Sequence, residues 1–234
     1  MNVRFDATRL TPTLPLQIAD LIGARVADGS FSEAERLKEV ELATAFRVSR
    51  ATIREALRIL ETRGLVTITP QRGAQVTAFS VEEMEDLFEI RAVLLALVSQ
   101  KVAERPSTER DNAIRDGLLT LDAARGRLTE YLRASAAMVA LIGRLSRNLQ
   151  LAQMNDTLAK RIGRYVRLGL ASPGRRDQSF RRWKQIVEAI LRNDGGKAGE
   201  LHRTLVMENC EVARREVARK QSGRNANDAL STRG

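Results

Sequence analysis

The sequence predicts a mainly α-helical chain in two parts: a small N-terminal unit of three helices with a β-hairpin, and a C-terminal antiparallel bundle of six helices. Three observations support this. The 234 residues suffice for one large or two ordinary domains. Hydrophobic side chains make up 43% of the chain and aromatic ones only 4%, which favours aliphatic helix packing over an aromatic-rich β-sandwich. Apolar residues also recur at helical spacing along most of the chain, with one short β-branched exception.

Composition excludes several classes of protein. The longest purely apolar runs, such as Ala92–Val98, are far shorter than the ~18 residues that a membrane span needs. No basic start leads into an apolar segment, so no secretory signal is expected. The single Cys210 and the single His202 exclude disulfide frameworks, Cys/His zinc sites and most acid–base catalysis. With no glycine-rich phosphate loop either, we expect a cytoplasmic protein that is not an enzyme and has no membrane partner.

Three helices are predicted in the N-terminal part. The first begins at Leu14, where apolar residues fall at helical spacing, and ends at Asp28-Gly29-Ser30. A second, short helix is predicted over about residues 38–46 and a third over about 50–63. The three-residue turn Arg47-Val48-Ser49 separates these two, so the pair reads as a helix-turn-helix.

A β-hairpin follows the third helix. Gly64 lies where a C-cap glycine belongs, and the residues after it, 65–69, are β-branched and typical of a strand. The turn at 70–73 leads to a partner strand at 74–77. Three helices and a hairpin in so few residues predict a winged helix-turn-helix. Its parts are a flexible arm at 1–13, the domain at 14–78, the helix-turn-helix at about 38–63 and the wing at 65–77.

The second part begins at Ser80. Together with Glu83 it forms a Ser-x-x-Glu capping box, which opens a new helix. The apolar pattern is helical from there on, with short breaks, and predicts an antiparallel bundle over residues 80–219. The predicted helices lie near 81–105, 108–125, 127–146, 149–170, 176–193 and 197–219. Residues 220–234 are polar and are expected to be a disordered tail.

The net charge of +10, from 39 basic and 29 acidic side chains, favours a polyanionic partner, with nucleic acid the first candidate. A basic soluble protein without such a partner is the alternative. Residues 1–79 hold 11 of the basic and 9 of the acidic residues, so most of the excess lies in the bundle. If the N-terminal part binds DNA, it must do so through the placement of its arginines.

The third helix has the pattern of a recognition helix. An apolar stripe must face the small core, while Arg50, Arg54 and Arg58 fall on one row about a quarter turn away. An arginine fork can bind a guanine edge in the major groove, and short hydroxyls can bind phosphate or base. Ser49 and Thr52 supply such hydroxyls beside the arginines. The alternative is a solvated helix face of mixed charge. The apolar stripe of the third helix that must face the small core consists of Ile53, Ala56, Leu57 and Leu60.

Several strings in this region resemble the signature of GntR-type bacterial transcription regulators. The most specific is Val48-Ser49-Arg50-Ala51-Thr52-Ile53-Arg54-Glu55-Ala56-Leu57, with Glu41-Leu42-Ala43 before it and Arg72-Gly73-Ala74 after it. The second part, opening with Leu87-Phe88-Glu89-Ile90-Arg91, resembles the effector-binding domain of the FadR/VanR (FCD) branch. The resemblance covers about residues 14–219, and six bundle helices are more similar to the VanR-type subgroup.

The resemblance implies base contacts from Arg50 and Arg54, with Ser49 and Thr52 near the DNA backbone. It places Gly73 at the wing tip, against the minor groove. A tight turn there also requires a positive φ, although an ordinary hairpin turn would require the same. Such regulators bind short inverted repeats as homodimers. The candidate DNA-binding residues are Arg47, Ser49, Arg50, Thr52, Arg54, Arg58, Gln71, Arg72 and Gly73.

The metal site of this branch is not matched. Members of the branch usually hold a divalent metal with one Asp and three His, and the matching positions here are Ser135, Val139, Trp183 and Leu205. His202 lies about one turn from the last position, and one imidazole cannot build the site. We therefore expect no metal and no other cofactor.

Two interpretations of the bundle interior remain open. Arg91 is retained, but Leu95 replaces the carboxylate that commonly follows it in this branch. The interior is then either a metal-free cavity, in which arginines bind a hydrophobic carboxylate or an acyl-type ligand, or a repacked bundle without a pocket. The candidate effector residues are Arg91, Ser135, Val139, Arg161, Arg164, Trp183 and Leu205.

The leading functional hypothesis is a nucleoid-associated, homodimeric transcription regulator, a repressor as most family members are, that binds operator DNA and responds to a small metabolite. The alternative is a constitutive DNA-binding protein whose degenerate bundle serves only dimerisation.

Overall fold

The computed structural model describes the backbone of residues 12–231 and the side chains of residues 12–219. Apart from Pro12 and Thr13, the expected flexible arm lies outside the described residues. The chain divides into two compact units, one ending at Ala78 and the other beginning at Phe79.

The first unit combines three helices with a three-stranded antiparallel sheet of order β1-β3-β2. Strand β3 lies in the middle, where Thr67 of β2 and Arg36 of β1 both pair with Gln75. Strand β1 was not predicted, because two residues are too few to show the alternation typical of a strand. The elements are α1 (Leu14–Ala27), β1 (Arg36–Leu37), α2 (Glu39–Phe46), α3 (Arg50–Thr62), β2 (Val66–Thr69) and β3 (Gly73–Val76).

Local signals at both ends determine the extent of α3. Ser49 caps its N-terminus by accepting a hydrogen bond from the Thr52 amide at 3.1 Å. At its C-terminus Gly64, with φ of +69°, lets the chain leave in a left-handed turn, and the Leu65 amide donates to the Leu60 carbonyl at 3.0 Å. The predicted apolar stripe of α3 is buried in the small core, which confirms its orientation.

The second unit contains six helices, as predicted. They are α4 (Val81–Ala103), α5 (Thr108–Ala123), α6 (Leu128–Leu145), α7 (Leu149–Gly169), α8 (Pro173–Leu191) and α9 (Gly195–Ser231). Helix α4 begins with the predicted capping box, in which Ser80 and Glu83 bond reciprocally. Among the described residues, none of the helices combines the length and apolar content that a bilayer crossing requires.

Two helix boundaries differ from prediction. Helix α8 begins at Pro173 rather than near residue 176. Proline is tolerated at the first position of a helix, because the N–H that it lacks would have no hydrogen-bond partner there. Ser172 caps this helix end. Helix α9 continues to Ser231, so the expectation of disorder from residue 220 is wrong for 220–231. The apolar periodicity stops near Val217, but no proline interrupts the backbone hydrogen bonds beyond it.

Two buried arginines bind the ends of several bundle helices together. Arg110, 3% exposed, donates from Nη1 to the carbonyls of Val102 (3.1 Å) and Ala103 (3.2 Å) at the end of α4, and to Asn193 Oδ1 (3.1 Å). Arg176 likewise donates from Nη1 to the Leu170 and Ala171 carbonyls after α7, and from Nε to the Arg125 carbonyl after α5. Carbonyls at and just after a helix C-terminus lack the amide partner of the helix interior, and the guanidinium groups bind them instead. The Val102 carbonyl also accepts from the Arg105 amide at 3.2 Å.

Candidate DNA-reading surface and bundle cavity

The predicted arginine row lies on the exposed face of α3. Arg50 and Arg54 have 63% and 51% of their side chains exposed, and Arg58 is exposed as well. Glu61, which could have made this a face of mixed charge, instead accepts a hydrogen bond from the Ile68 amide of β2 at 3.1 Å. The row is therefore exposed to solvent along one side of the helix.

The hydroxyls beside the arginines already have a structural role. Ser49 Oγ accepts from the Thr52 amide as the helix cap and lies 2.9 Å from Thr52 Oγ1. One of the two hydroxyls donates in that contact, which leaves less hydrogen-bonding capacity for DNA than the sequence alone indicates.

Sequence reasoning missed Glu39, the first residue of α2. Its carboxylate accepts two hydrogen bonds from Arg54, Nε to Oε1 at 3.1 Å and Nη2 to Oε2 at 2.9 Å. Arg50 Nη2 lies 3.5 Å from Oε2. The Arg54 hydrogen bond holds the pKa of Glu39 below its usual value. No sequence signal links Glu39 to Arg54, because the two residues lie on different helices, 15 positions apart.

The hairpin turn and the turn before α3 both use left-handed backbone. Gly73 has φ of +79°, as the tight turn was expected to require, and Gln71 adopts +63° without being glycine. Arg72 is exposed beside them. Arg36 of β1, absent from the predicted set, has Nη2 3.8 Å from where a Cβ on Gly73 would lie. Arg47, with φ of 54°, ends α2 and is exposed.

Two of the positions that the resemblance assigns to metal ligands hold side chains that bind no metal. Trp183 and Leu205 are 1% and 8% exposed and belong to the hydrophobic core. His202 packs edge-on against Trp183 with ring centroids 4.9 Å apart, and its Nδ1 lies 2.8 Å from Ser99 Oγ. Among the described residues, no group of three or more His, Cys, Asp or Glu side chains could hold a metal ion.

Burial keeps His202 neutral. Desolvation, with a smaller contribution from the Arg91 charge, lowers the pKa of His202 to about 3. In the unfolded chain the same imidazole has its ordinary pKa of about 6.5.

The bundle is therefore expected to lose stability as the pH falls from about 6.5 towards 3, because only the unfolded chain then takes up the histidine proton. Between pH 7 and pH 4 this amounts to about 3 kcal/mol in the free energy of unfolding. Urea unfolding followed by the fluorescence of Trp183, the only tryptophan, measures it. A His202→Met variant should lose this part of the pH dependence, whereas an unchanged pH profile would show that the histidine does not contribute.

A cavity of about 480 Å³ lies between α4, α6 and α7. Of the predicted effector residues, only Arg91 and Val139 line it. Ser135 does not line the cavity, and Trp183 and Leu205 belong to the hydrophobic core. Arg164 is a buried residue further along α7. Arg161 lies over the Phe79 ring, with its Cζ 5.3 Å from the ring centroid. These residues lie away from the cavity because it adjoins the first half of α7. Its lining includes Arg91, Leu95 and Val98 of α4, Val139 and Arg144 of α6, and Gln153, Asn155 and Asp156 of α7.

Two lining residues have buried polar atoms without a hydrogen-bond partner among the described residues, namely Arg91 Nε and Asn155 Oδ1. Asn155 is 3% exposed and uses only its Nδ2, which donates to the Leu151 carbonyl at 3.3 Å. Desolvation of its guanidinium lowers the pKa of Arg91 to about 10. Asn155 could have been found from the sequence, as the one polar residue on the apolar stripe of α7 formed with Leu151 and Leu158.

Comparison with known proteins identifies two domains. The profile of the FCD domain matches residues 86–207, and that of bacterial regulatory proteins of the gntR family matches residues 14–76. Solved structures with the same fold include McbR/YncC of Escherichia coli, with a TM-score of 0.78, 16% identity, and coverage of 88% of this chain and 100% of that one. A putative GntR transcriptional regulator from Rhodococcus has a TM-score of 0.70 at 19% identity, covering 85% and 96% of the two chains.

Curated relatives are also regulators. The HTH-type regulator YdhC of Bacillus subtilis is 32% identical over 94 residues, which are 40% of this chain and 42% of that protein. The Nta operon transcriptional regulator of Aminobacter aminovorans is 32% identical over 134 residues, 56% of this chain and 63% of that protein. The repressor GlaR of Escherichia coli is 29% identical over 186 residues, covering 75% and 84%. The alignments thus span less than two thirds of the first two relatives.

Proposed function

Because the chain belongs to the GntR family of bacterial transcription regulators and carries an FCD domain, we propose that it is a homodimeric repressor whose α3 reads an inverted-repeat operator and whose operator affinity is controlled by an organic acid or acyl-type metabolite. The row of exposed arginines on α3, about a quarter turn from a buried apolar stripe, is the observation that carries the DNA-binding part.

Two copies of α3 would each read one half-site. In each copy Arg50 and Arg54 bind base edges in the major groove, Arg58 and Arg47 bind phosphates, and Arg72 with Gly73 approaches the minor groove. Arginine suits these tasks because its planar fork matches both guanine O6/N7 and phosphate oxygens. Twofold symmetry of the protein then requires an operator of inverted half-sites.

The cavity has the chemistry of an anion site with an apolar wall. Arg91 is partly exposed, but its Nε is buried and has no hydrogen-bond partner among the described residues, so a carboxylate that binds Arg91 would gain a charge-assisted hydrogen bond. The free Asn155 Oδ1 selects a ligand that also donates a hydrogen bond, such as a hydroxyl or an amide N–H. Leu95, Val98 and Val139 favour a hydrocarbon body between these two groups. The ligand class is thus a hydroxy- or amide-bearing apolar carboxylic acid.

The proposed site works without a metal. A metal-bound carboxylate would need histidine or acidic ligands, and Trp183 and Leu205 fill two of the positions where the branch has them. Arg91 therefore supplies the positive charge for the ligand. Effector and operator each change the affinity of the other, because the coupling between two sites is reciprocal.

The test begins with selection of a duplex from a randomised DNA pool by the purified full-length protein, in EDTA. Binding to the selected duplex is then measured with a panel of organic acids and acyl-CoAs. We expect one compound to weaken binding about tenfold, a coupling of ordinary size for two linked sites. The Arg91→Leu variant should bind DNA like the wild type, but its DNA affinity should not change when the compound is added. Arg133 is an exposed arginine of α6 outside the cavity, and the Arg133→Leu variant should respond to the compound like the wild type.

The other outcomes are distinct. A compound that acts only when zinc or nickel is added would contradict the metal-free site. Specific binding that no compound changes would support the constitutive DNA-binding protein whose bundle serves only dimerisation. A pool from which nothing is enriched would overturn the DNA-reading function itself.

A further inference from the structure

Glu39 places a negative charge within the arginine row. Its carboxylate binds Arg54 through two hydrogen bonds, at 3.1 and 2.9 Å, and lies 3.5 Å from Arg50 Nη2. Arg58, the third member of the row, has no ionic partner within residues 12–219. Ion pairs as exposed as that of Glu39 with Arg54 contribute little to stability. What the bidentate contact does supply is a fixed orientation of the Arg54 guanidinium.

The orientation leaves the end of the Arg54 fork free. A guanidinium has five N–H groups in one plane, and Glu39 occupies the one on Nε and one on Nη2. One N–H on each terminal nitrogen remains along the end of the fork, the edge that can bind guanine O6 and N7 together. Glu39 and a guanine can therefore bind Arg54 at the same time, on different edges.

The Glu39 carboxylate also weakens nonspecific binding of DNA. Attraction to any duplex depends on the number of phosphates that positive side chains neutralise. Paired with Glu39, Arg54 adds almost no net charge to the α3 surface, so its contribution to DNA binding comes from base contacts.

Given that α3 reads DNA as proposed above, we infer that Glu39 is a positioning and specificity-determining residue, which orients Arg54 for base recognition and lowers the affinity of the α3 surface for unrelated duplexes. Glu39 makes no base contact in this arrangement and acts through Arg54.

A charge-matched pair of variants tests the inference. Glu39→Gln is expected to bind a scrambled duplex more tightly and to lose about tenfold in the ratio of affinities for the selected and scrambled duplexes, at one fixed salt concentration. Glu41→Gln is the control, because Glu41 also lies in the first turn of α2 but pairs with Lys38 at 2.6 Å. It removes the same charge from the same helix end and should keep the wild-type ratio.

The Arg54→Ala background separates positioning from a general charge effect. There, Glu39→Gln should cause no further loss in the affinity ratio, because the residue through which it acts is gone. The inference is overturned if Glu39→Gln retains the wild-type ratio, if Glu41→Gln lowers it equally, or if Glu39→Gln lowers it as strongly in the Arg54→Ala background. These failures differ from that of the proposed function, in which the wild type selects no duplex at all.

Discussion

Arg54→Ala is expected to lower the preference of the protein for its selected duplex over a scrambled one by about 5- to 150-fold. This is the range for one bidentate arginine–guanine contact, worth about 1–3 kcal/mol. The substitution should not disturb the core, since Arg54 is half exposed on α3 and is not part of the buried stripe. The chain should therefore remain folded. Competition binding with the two duplexes at one salt concentration measures the effect.

A control variant separates base reading from charge. Arg127→Ala removes an exposed arginine that forms an ion pair with Glu130 in the bundle, so it changes the net charge equally without touching α3. It should leave the preference unchanged. If Arg54→Ala also retains the wild-type preference, Arg54 does not read a base and the recognition surface lies elsewhere on the unit.

The largest effect on stability is expected from Arg110→Met. The substitution keeps a long side chain but removes the donor to the Val102 and Ala103 carbonyls and to the Asn193 side chain. Of these acceptors, the Val102 carbonyl keeps its hydrogen bond from the Arg105 amide. Buried acceptors that lose their partner lower stability, and the free energy of unfolding of the bundle should fall by about 3 kcal/mol. Urea unfolding followed by Trp183 fluorescence reports on the bundle alone, because the chain has one tryptophan and it is buried there.

The matched control is Arg105→Met, the same chemical change at an exposed arginine in the connection between α4 and α5. Its urea midpoint should stay within experimental error of the wild type. Equal losses in the two variants would mean that the buried hydrogen bonds of Arg110 contribute no more than an exposed charge does.

The elements that sequence reasoning found are those with local signals. Ser49 and Gly64 mark the ends of α3, the Ser80 capping box marks the start of α4, and all of these signals operate within a few residues of the feature they predict. The buried face of α3 followed from its spacing alone. The positive φ at Gly73 followed from turn geometry.

Features that depend on contacts between distant residues were missed or misplaced. Glu39 reaches Arg54 across two helices, and β1 exists only because it pairs with β3. The candidate arginines Arg161 and Arg164 lie in the second half of α7, whereas the cavity adjoins the first half, because arginine density in a sequence does not show which face of a helix is buried. Asn155 was the available signal there, as a polar residue on an otherwise apolar stripe.

The guanidinium groups of Arg110 and Arg176 have a consequence for variation in chain length. Arg110 binds carbonyls at the end of α4, and Arg176 binds carbonyls in the connection before α8. Each arginine also binds a group from another connection, Asn193 in one case and the Arg125 carbonyl in the other. An inserted or deleted residue at 104–107 or 170–172 would move acceptors away from a donor whose reach is fixed. Related proteins that keep both arginines should therefore vary little in length at these two connections, even though connections between helices ordinarily tolerate insertions well.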